Sequence, residues 1–213
     1  MGEIRNAERT RKTILQAAKA EFFEKGYTGA RIESIAKRAG INKQLIYHYF
    51  KSKDSLINEV IDSFVTSLPS GNFVLPENPA HIADFRYKVN LEHLMDFLKF
   101  TAWEAIDSVP ENSNGEERRK AILQSYVADM QAKQEAGLVP KELDPALITL
   151  MISSLTIYPL LYSNVTRMIT GHAAEDPEFQ AKWGQFLRLI SERLFEDRGV
   201  RQGPGPSDER RES

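Results

Sequence analysis

Residues 26–53 read G-Y-T-G-A-R-I-E-S-I-A-K-R-A-G-I-N-K-Q-L-I-Y-H-Y-F-K-S-K, the pattern of two short helices joined by a tight turn. Ile32, Ile35, Ala36 and Ala39 recur at three- and four-residue spacing, which lays one apolar stripe along a helix of about two turns. Gly40 ends that helix, because glycine takes the left-handed position after a helix without steric cost. Asn42 is placed to cap the next helix by accepting from its free N–H groups. From Lys43 to Phe50 the helical wheel divides. Ile46, Tyr49 and Phe50 point inward, whereas Lys43, Gln44, Tyr47 and His48 share the outer face. A short helix exposing a cation, an amide, a phenol and an imidazole carries the groups that read base edges and grip phosphate. The stretch is a helix-turn-helix.

Charge supports that reading more than composition does. The 213 residues carry a formal net charge of −2, which taken alone argues against a nucleic-acid binder. Residues 1–55, however, hold twelve Lys/Arg against six Asp/Glu, and the remainder carries the compensating acidic excess. A basic head on an acidic body concentrates anion binding at one end. A hydrophobic content of 41% suits one or two small domains with real cores. The absence of cysteine excludes disulfides, thiol catalysis and thiolate metal sites, and fits a reducing cytoplasm. No apolar run follows the opening Met-Gly-Glu-Ile-Arg, so no signal peptide is expected.

In residue type and spacing, Gly26-Tyr27, Ile35-Ala36, Ala39-Gly40-Ile41, Ile46-Tyr47-His48-Tyr49-Phe50 and Ser52-Lys53 resemble the N-terminal DNA-binding domain of the tetracycline-repressor (TetR) family. The resemblance covers about residues 8–60; beyond it only the helical architecture is similar. It implies a repressor whose second domain binds an effector, changes the spacing of the heads and so releases DNA. It also assigns Lys53 a phosphate contact at the start of the fourth helix. Two positions depart from the family pattern. Ala30 and Arg31 stand where a capping Ser or Thr is frequent, leaving Thr28 nearby, and Ser55 stands where the glutamate of a capping box begun by Ser52 is frequent. Both departures are expected to weaken helix starts slightly.

Around this unit the chain reads as all-helical, with an N-terminal three-helix head over residues 1–55, a helical effector-binding and dimerisation domain over 56–198, and a disordered tail over 199–213. Helix one is expected from about Ala7 to Lys25, with Ile14, Ala18 and Phe22 packing behind the helix pair. Helix four is expected to start at Ser52. There Lys53 opposes the positive helix end, a conflict that a phosphate resolves. Residues 68–79 are rich in Pro, Gly and Asn and form a connector in which Phe73, Val74 and Leu75 are expected to be buried. Residues 80–108 suit one bent helix or two, and 116–136 another ended by Gly137. Asp144-Pro145 and Asp176-Pro177 are helix starts, an N-cap followed by proline at the first position. Residues 145–166 carry no charge. Their length would cross a bilayer, but Thr149, Ser153, Ser154, Thr156, Ser163 and Asn164 interrupt the run and Pro159 should kink it. A helix part core and part subunit contact explains it better. The stripe Phe179, Trp183, Phe186, Ile190 and Leu194 completes the expected dimer contact.

Enzyme chemistry finds no footing. Histidines 48, 81, 93 and 172 are too scattered for a metal cluster, and no nucleophile elbow, phosphate loop or dinucleotide fingerprint is present. No catalytic residue, metal or cofactor is expected. The expected partners are double-stranded DNA with a palindromic operator, read by two heads in successive major grooves, a small effector and a second copy of the chain; no membrane is expected. Lys43 and Gln44 are the candidates for base edges, Tyr47, His48 and Lys53 for phosphate, and Leu45 and Tyr49 flank them, Leu45 within reach of a thymine methyl. Phe97, Phe100, Trp103, Tyr126, Met130, Met151, Tyr158 and Tyr162 are the candidate wall of a pocket for a mostly apolar or aromatic effector, with Glu104 or Asp107 recognising a cationic group at its edge. The alternatives are a regulator without an effector, or a body that serves as a protein-interaction module. A full pocket lined by aromatics favours the effector, and a solid core with an exposed apolar patch favours a protein partner.

Overall fold

The computed structural model describes residues 2–68, 74–106 and 115–195, with side chains from residue 6 onward. The first helix, α1 (Gly2–Gly29), changes direction at Gly26, whose φ of 69° lies in the left-handed region. Its final turn therefore swings Tyr27 toward the head. Helices α2 (Ile32–Ala39) and α3 (Lys43–Tyr49) follow, then α4 (Lys53–Ser67). The α1 stripe Ile14, Ala18 and Phe22 is fully buried with Ile35, Ile46, Phe50 and Leu56. Ser52 and Ser55 exchange hydrogen bonds at the start of α4, each hydroxyl accepting from the other's backbone N–H at 3.0 Å. Serine thus completes the capping box that the sequence reading took as weakened, because the short hydroxyl reaches the N–H directly. At the start of α2, Arg31 gives no side-chain cap, as expected.

In the body, a 3₁₀ turn (Pro79–His81) leads into α5 (Ile82–Val89), a π turn (Asn90–Leu94) and α6 (Met95–Ile106), one rod with a bulge in its middle. Helices α7 (Glu116–Glu135), α8 (Pro145–Leu161), α9 (Ser163–Thr170) and α10 (Pro177–Phe195) complete it. Asp144 caps α8 by accepting from the N–H groups of Ala146 and Leu147, and Asp176 caps α10 by accepting from Glu178. Pro159 lies near the end of α8, and α9 leaves at 90°. The Thr166 hydroxyl donates to the Pro159 carbonyl at 3.0 Å, which closes the corner. The uncharged run is therefore two helices at right angles, and among the described residues no single helix is long and apolar enough to cross a membrane.

Helix α10 buries Phe179, Gly184, Leu187 and Ser191. The expected aromatic stripe accordingly splits: Phe179 is buried, Trp183 is half-buried and stacks on it, and Phe186 is exposed. Gly184 brings α10 so close to α5 that a Cβ there would lie 2.6 Å from Oδ1 of Asp84. Asp84 is buried, paired with Arg188 at 2.5 Å and Lys88 at 3.0 Å. Helix α4 runs unbroken through residue 55, and Phe23 of α1, Phe64 of α4, and Phe97 and Phe100 of α6 form one aromatic cluster joining head to body. Val74 is exposed rather than buried, since no element among the described residues packs over it; Phe73, Asp107 and the tail 199–213 lie outside the described residues.

Candidate nucleic-acid interface and effector cavity

The reading face is built by the turn that precedes it. Gly40, at φ 67°, donates to the Ala36 and Lys37 carbonyls and closes α2. Two residues on, Oδ1 of Asn42 accepts from the Leu45 N–H at 2.8 Å and starts α3. Ile46 and Phe50 are buried and fix the rotation of α3 about its axis. Lys43, Gln44, Tyr47 and His48 consequently face solvent together, while Leu45 and Tyr49 are half-buried at the edges of the same surface. Lys43 pairs with Glu33 of α2 and lies 5.9 Å from the centre of the Tyr47 ring. That hydrogen bond to Lys43 holds the Glu33 carboxyl below its ordinary pKa. Exposed pairs of this kind contribute little.

Lys53 occupies the first turn of α4, beside this face. Its ammonium stands 4.5 Å over the ring of Tyr27, whose hydroxyl donates to Asp54. Burial pushes the Lys53 pKa down, and no ion pair among the described residues includes it. Burial, with the hydrogen bond to Asp54, raises the Tyr27 pKa to about 12, so the phenol stays protonated. The kink at Gly26 thus supplies the aromatic platform that holds a lysine at the positive end of a helix. Behind the face, Glu21 is fully buried in α1 and pairs with Arg38 of α2 at 2.9 Å and with Lys25. Burial alone would raise its pKa; Lys25 and Arg38 outweigh that and hold it below 4.5.

In the body, a cavity of about 730 Å³ opens between α7 and α8. Its walls are Phe64 and Val65 of α4 with Leu68 just beyond its end, Leu94, Phe97, Leu98 and Thr101 along the π turn and α6, Ile122, Tyr126 and Val127 of α7, and Thr149, Ser153 and Ile157 of α8. Arg86 and Asn90 stand on the same wall one turn apart. The π turn makes this possible: the extra residue rotates α6 so that Phe97 and Thr101 face the cavity while Phe100 packs on α1.

Of the eight expected wall residues, Phe97 and Tyr126 line this cavity. Met130 lies on a small void of about 10 Å³ that also touches Arg86 and Tyr126, and Phe100 is fully buried in the aromatic cluster. Trp103, Met151, Tyr158 and Tyr162 do not line it. They are exposed, because α8 turns its Met151–Tyr158–Tyr162 face away from the body and Trp103 lies on the outer side of α6. Glu104 is engaged by Arg119 at 2.7 Å, which takes up its carboxylate. Sequence reasoning missed Arg86, Asn90 and the α4 wall. Arg86 and Asn90 did leave a signal, as two polar residues breaking the apolar line Ile82, Leu94, Leu98 at four-residue spacing.

Residues 14–60 match the family model described as bacterial regulatory proteins, tetR family. The chain is 26% identical over 167 residues to the HTH-type transcriptional repressor SCO4008 of Streptomyces coelicolor, covering 78% of this chain and 86% of that one. It is 44% identical over 61 residues to the HTH-type transcriptional repressor NicS of Pseudomonas putida, covering 29% of each. Among solved structures, the transcriptional regulator SCO4942 of Streptomyces coelicolor shares the fold, with a TM-score of 0.69 at 24% identity over 88% of this chain and 98% of that chain. These relatives are regulators, not enzymes.

Proposed function

We propose, from the premise that the chain belongs to the tetR family of bacterial regulatory proteins, that it is a dimeric repressor released from a palindromic operator by a small molecule held in the body. The observation that carries this is the grouping of Lys43, Gln44, Tyr47 and His48 on the outer face of α3, beside Lys53 on α4. Lys43 and Gln44 are long enough to reach base edges in a major groove; Tyr47, His48 and Lys53 are placed for the flanking phosphates.

The cavity supports an effector-responsive body over a purely protein-binding one. Helix α4 couples the two parts, since Lys53 stands at one end and Phe64, Val65 and Leu68 form cavity wall at the other. A molecule displacing that wall shifts the first turn of α4 and the head packed on it. To release DNA a hundredfold, it must favour the non-binding state by about 2.7 kcal/mol. Selection of binding sites by the purified protein from random duplex DNA tests the reading. A recovered palindrome with half-sites about one helical turn apart is expected, and recovery of no sequence over background would overturn it.

A further inference from the structure

Among the described residues, four charged side chains line the cavity, three cations (Arg86, Arg119, Lys120) against one carboxylate, Glu116. Their settings differ. Glu116 and Lys120 are exposed on α7 at the mouth, where water screens them. Arg119 is taken up by Glu104. Arg86 has no such partner: none of the ion pairs among the described residues includes it. Its Nη1 donates to the Tyr126 hydroxyl at 2.8 Å, and its guanidinium lies 4.6 Å from the centre of the same ring. A phenol and a π face offset only part of what water gives a guanidinium. Burial accordingly pushes the Arg86 pKa down from its usual value. One turn along, Asn90 is 1% exposed; its amide donates to the Thr156 hydroxyl at 3.2 Å, while its Oδ1 has no hydrogen-bond partner. The inner wall of a largely apolar cavity therefore holds a cation without an anion and an acceptor without a donor.

We propose that the effector is an amphipathic acid, with one carboxylate paired to Arg86 and an apolar body lying along Leu94, Phe97, Val127 and Ile157. The proposal rests on the reading of the cavity as the effector site. A guanidinium already braced against Tyr126 presents a planar fork that accepts a carboxylate through two parallel hydrogen bonds. A hydroxyl or amide N–H roughly 6 Å from the acid, one turn of helix, satisfies the orphan oxygen of Asn90. This reverses the cationic group expected from sequence, because Glu104 belongs to Arg119 and the unmatched charge is positive.

The test uses the full-length protein and three probes of equal chain length: dodecanoate, dodecanol and dodecylamine, each below its aggregation limit. Binding is measured by calorimetry and operator affinity in parallel. Dodecanoate is expected to bind at least about tenfold more tightly than dodecanol, with dodecylamine weakest. Arg86→Met is expected to bring dodecanoate down to the level of dodecanol without weakening dodecanol, and Arg86→Lys to keep part of the preference. The wild-type ranking stands without any variant should Arg86→Met fail to fold. Equal binding of acid and alcohol, a preference for the amine, binding of none of the three, or an acid preference that survives Arg86→Met each overturns the proposal. Operator release by dodecanol or dodecylamine, with dodecanoate inert, overturns the acid and leaves the effector reading standing. Dodecanoate that occupies the cavity with no effect on operator affinity does the reverse.

Discussion

Single side chains decide the chemistry of both ends of this molecule. Under the proposed function Lys53 and Tyr47 meet phosphate, so Tyr47→Ala and Lys53→Ala are expected to weaken binding to all duplexes alike. In a salt titration Lys53→Ala should flatten the slope of log affinity by about one counterion, whereas Tyr47→Ala, which removes no charge, should leave it unchanged. Gln44→Ala is expected instead to relax preference at one or two positions of each half-site, by about 1–3 kcal/mol. Site selection with the variant separates the two outcomes, and a uniform loss for Gln44→Ala would move Gln44 to the phosphate group. Glu21 gives a pH signature. Its folded pKa is lowered from 4.5, so its contribution to stability is fully present above 4.5 and is lost as pH falls through the folded value. Glu21→Gln should therefore be less stable than wild type in urea at neutral pH, and the difference should shrink on acidification to about pH 3. A difference that is constant with pH would show that packing, not charge, holds α1 to α2. Gly184 is a steric case. Alanine is normally favoured over glycine inside a helix by about 1 kcal/mol, but here its Cβ would meet Oδ1 of Asp84 at 2.6 Å, and Arg188 and Lys88 pin that carboxylate. Gly184→Ala is expected to destabilise by about 1–2 kcal/mol in wild type and to become neutral or stabilising in an Asp84→Ala background.

At the scale of elements, what the sequence made legible was whatever local chemistry settles. The turn at Gly40 and Asn42 and the caps at Asp144 and Asp176 each follow from one residue's backbone or side-chain preference, and each stands where the pattern puts it; the bend expected at Pro159 falls at Tyr162, after α8 has run on to Leu161. The division of the α3 face was legible for the same reason, since Ile46 and Phe50 have only one way to be buried. The cavity wall was not. Aromatics at helical spacing fill cores, cavities and subunit faces alike, and choosing among these needs the rotation of each helix against its neighbours. Tyr158 and Tyr162 stack on each other at 4.8 Å on the outer side of α8, while Ser153 and Ile157 turn inward. The rotation of α6 depends on the π turn at Asn90–Leu94, which no propensity announces. Helix α4 offers the element-scale test. Asn58 accepts from the Gly115 N–H at 2.8 Å, and Gly115, at φ 67°, lies so close to Ile61 that a Cβ would meet its Cγ2 at 2.7 Å. This contact ties α4 to the start of α7, the far wall of the cavity. Asn58→Ala is expected to leave operator affinity within about twofold and to reduce the effector-induced change in it by about threefold or more, a coupling loss of 0.5–2 kcal/mol. An unchanged response would confine the coupling to Phe64 and Val65.

Taken whole, the molecule leaves one surface unexplained by its own fold. Helix α8 exposes Leu147, Met151, Tyr158 and Tyr162 along a single face, and α10 exposes Phe186 and Leu189. Isolated apolar side chains on a surface are ordinary, but a row of this length on neighbouring helices marks an interface. A second copy suits it, because a two-fold axis pairs α8 and α10 with their own equivalents and closes a four-helix contact with no face left over. A dimer would also serve the head. One reading helix contacts a half-site only, and linking two converts the second contact into an intramolecular one, a gain of about 10²–10⁴ in affinity. Introducing Met151→Glu together with Phe186→Glu places unpaired carboxylates in that contact at a cost of several kcal/mol. The double variant is expected to be monomeric at micromolar concentration by light scattering and to bind a palindromic operator at least about a hundredfold more weakly than wild type. Its affinity for a single half-site should be unchanged. A variant that remains dimeric would place the two-fold axis elsewhere on the body. A wild-type protein that scatters as a monomer would remove the basis for reading two half-sites at once.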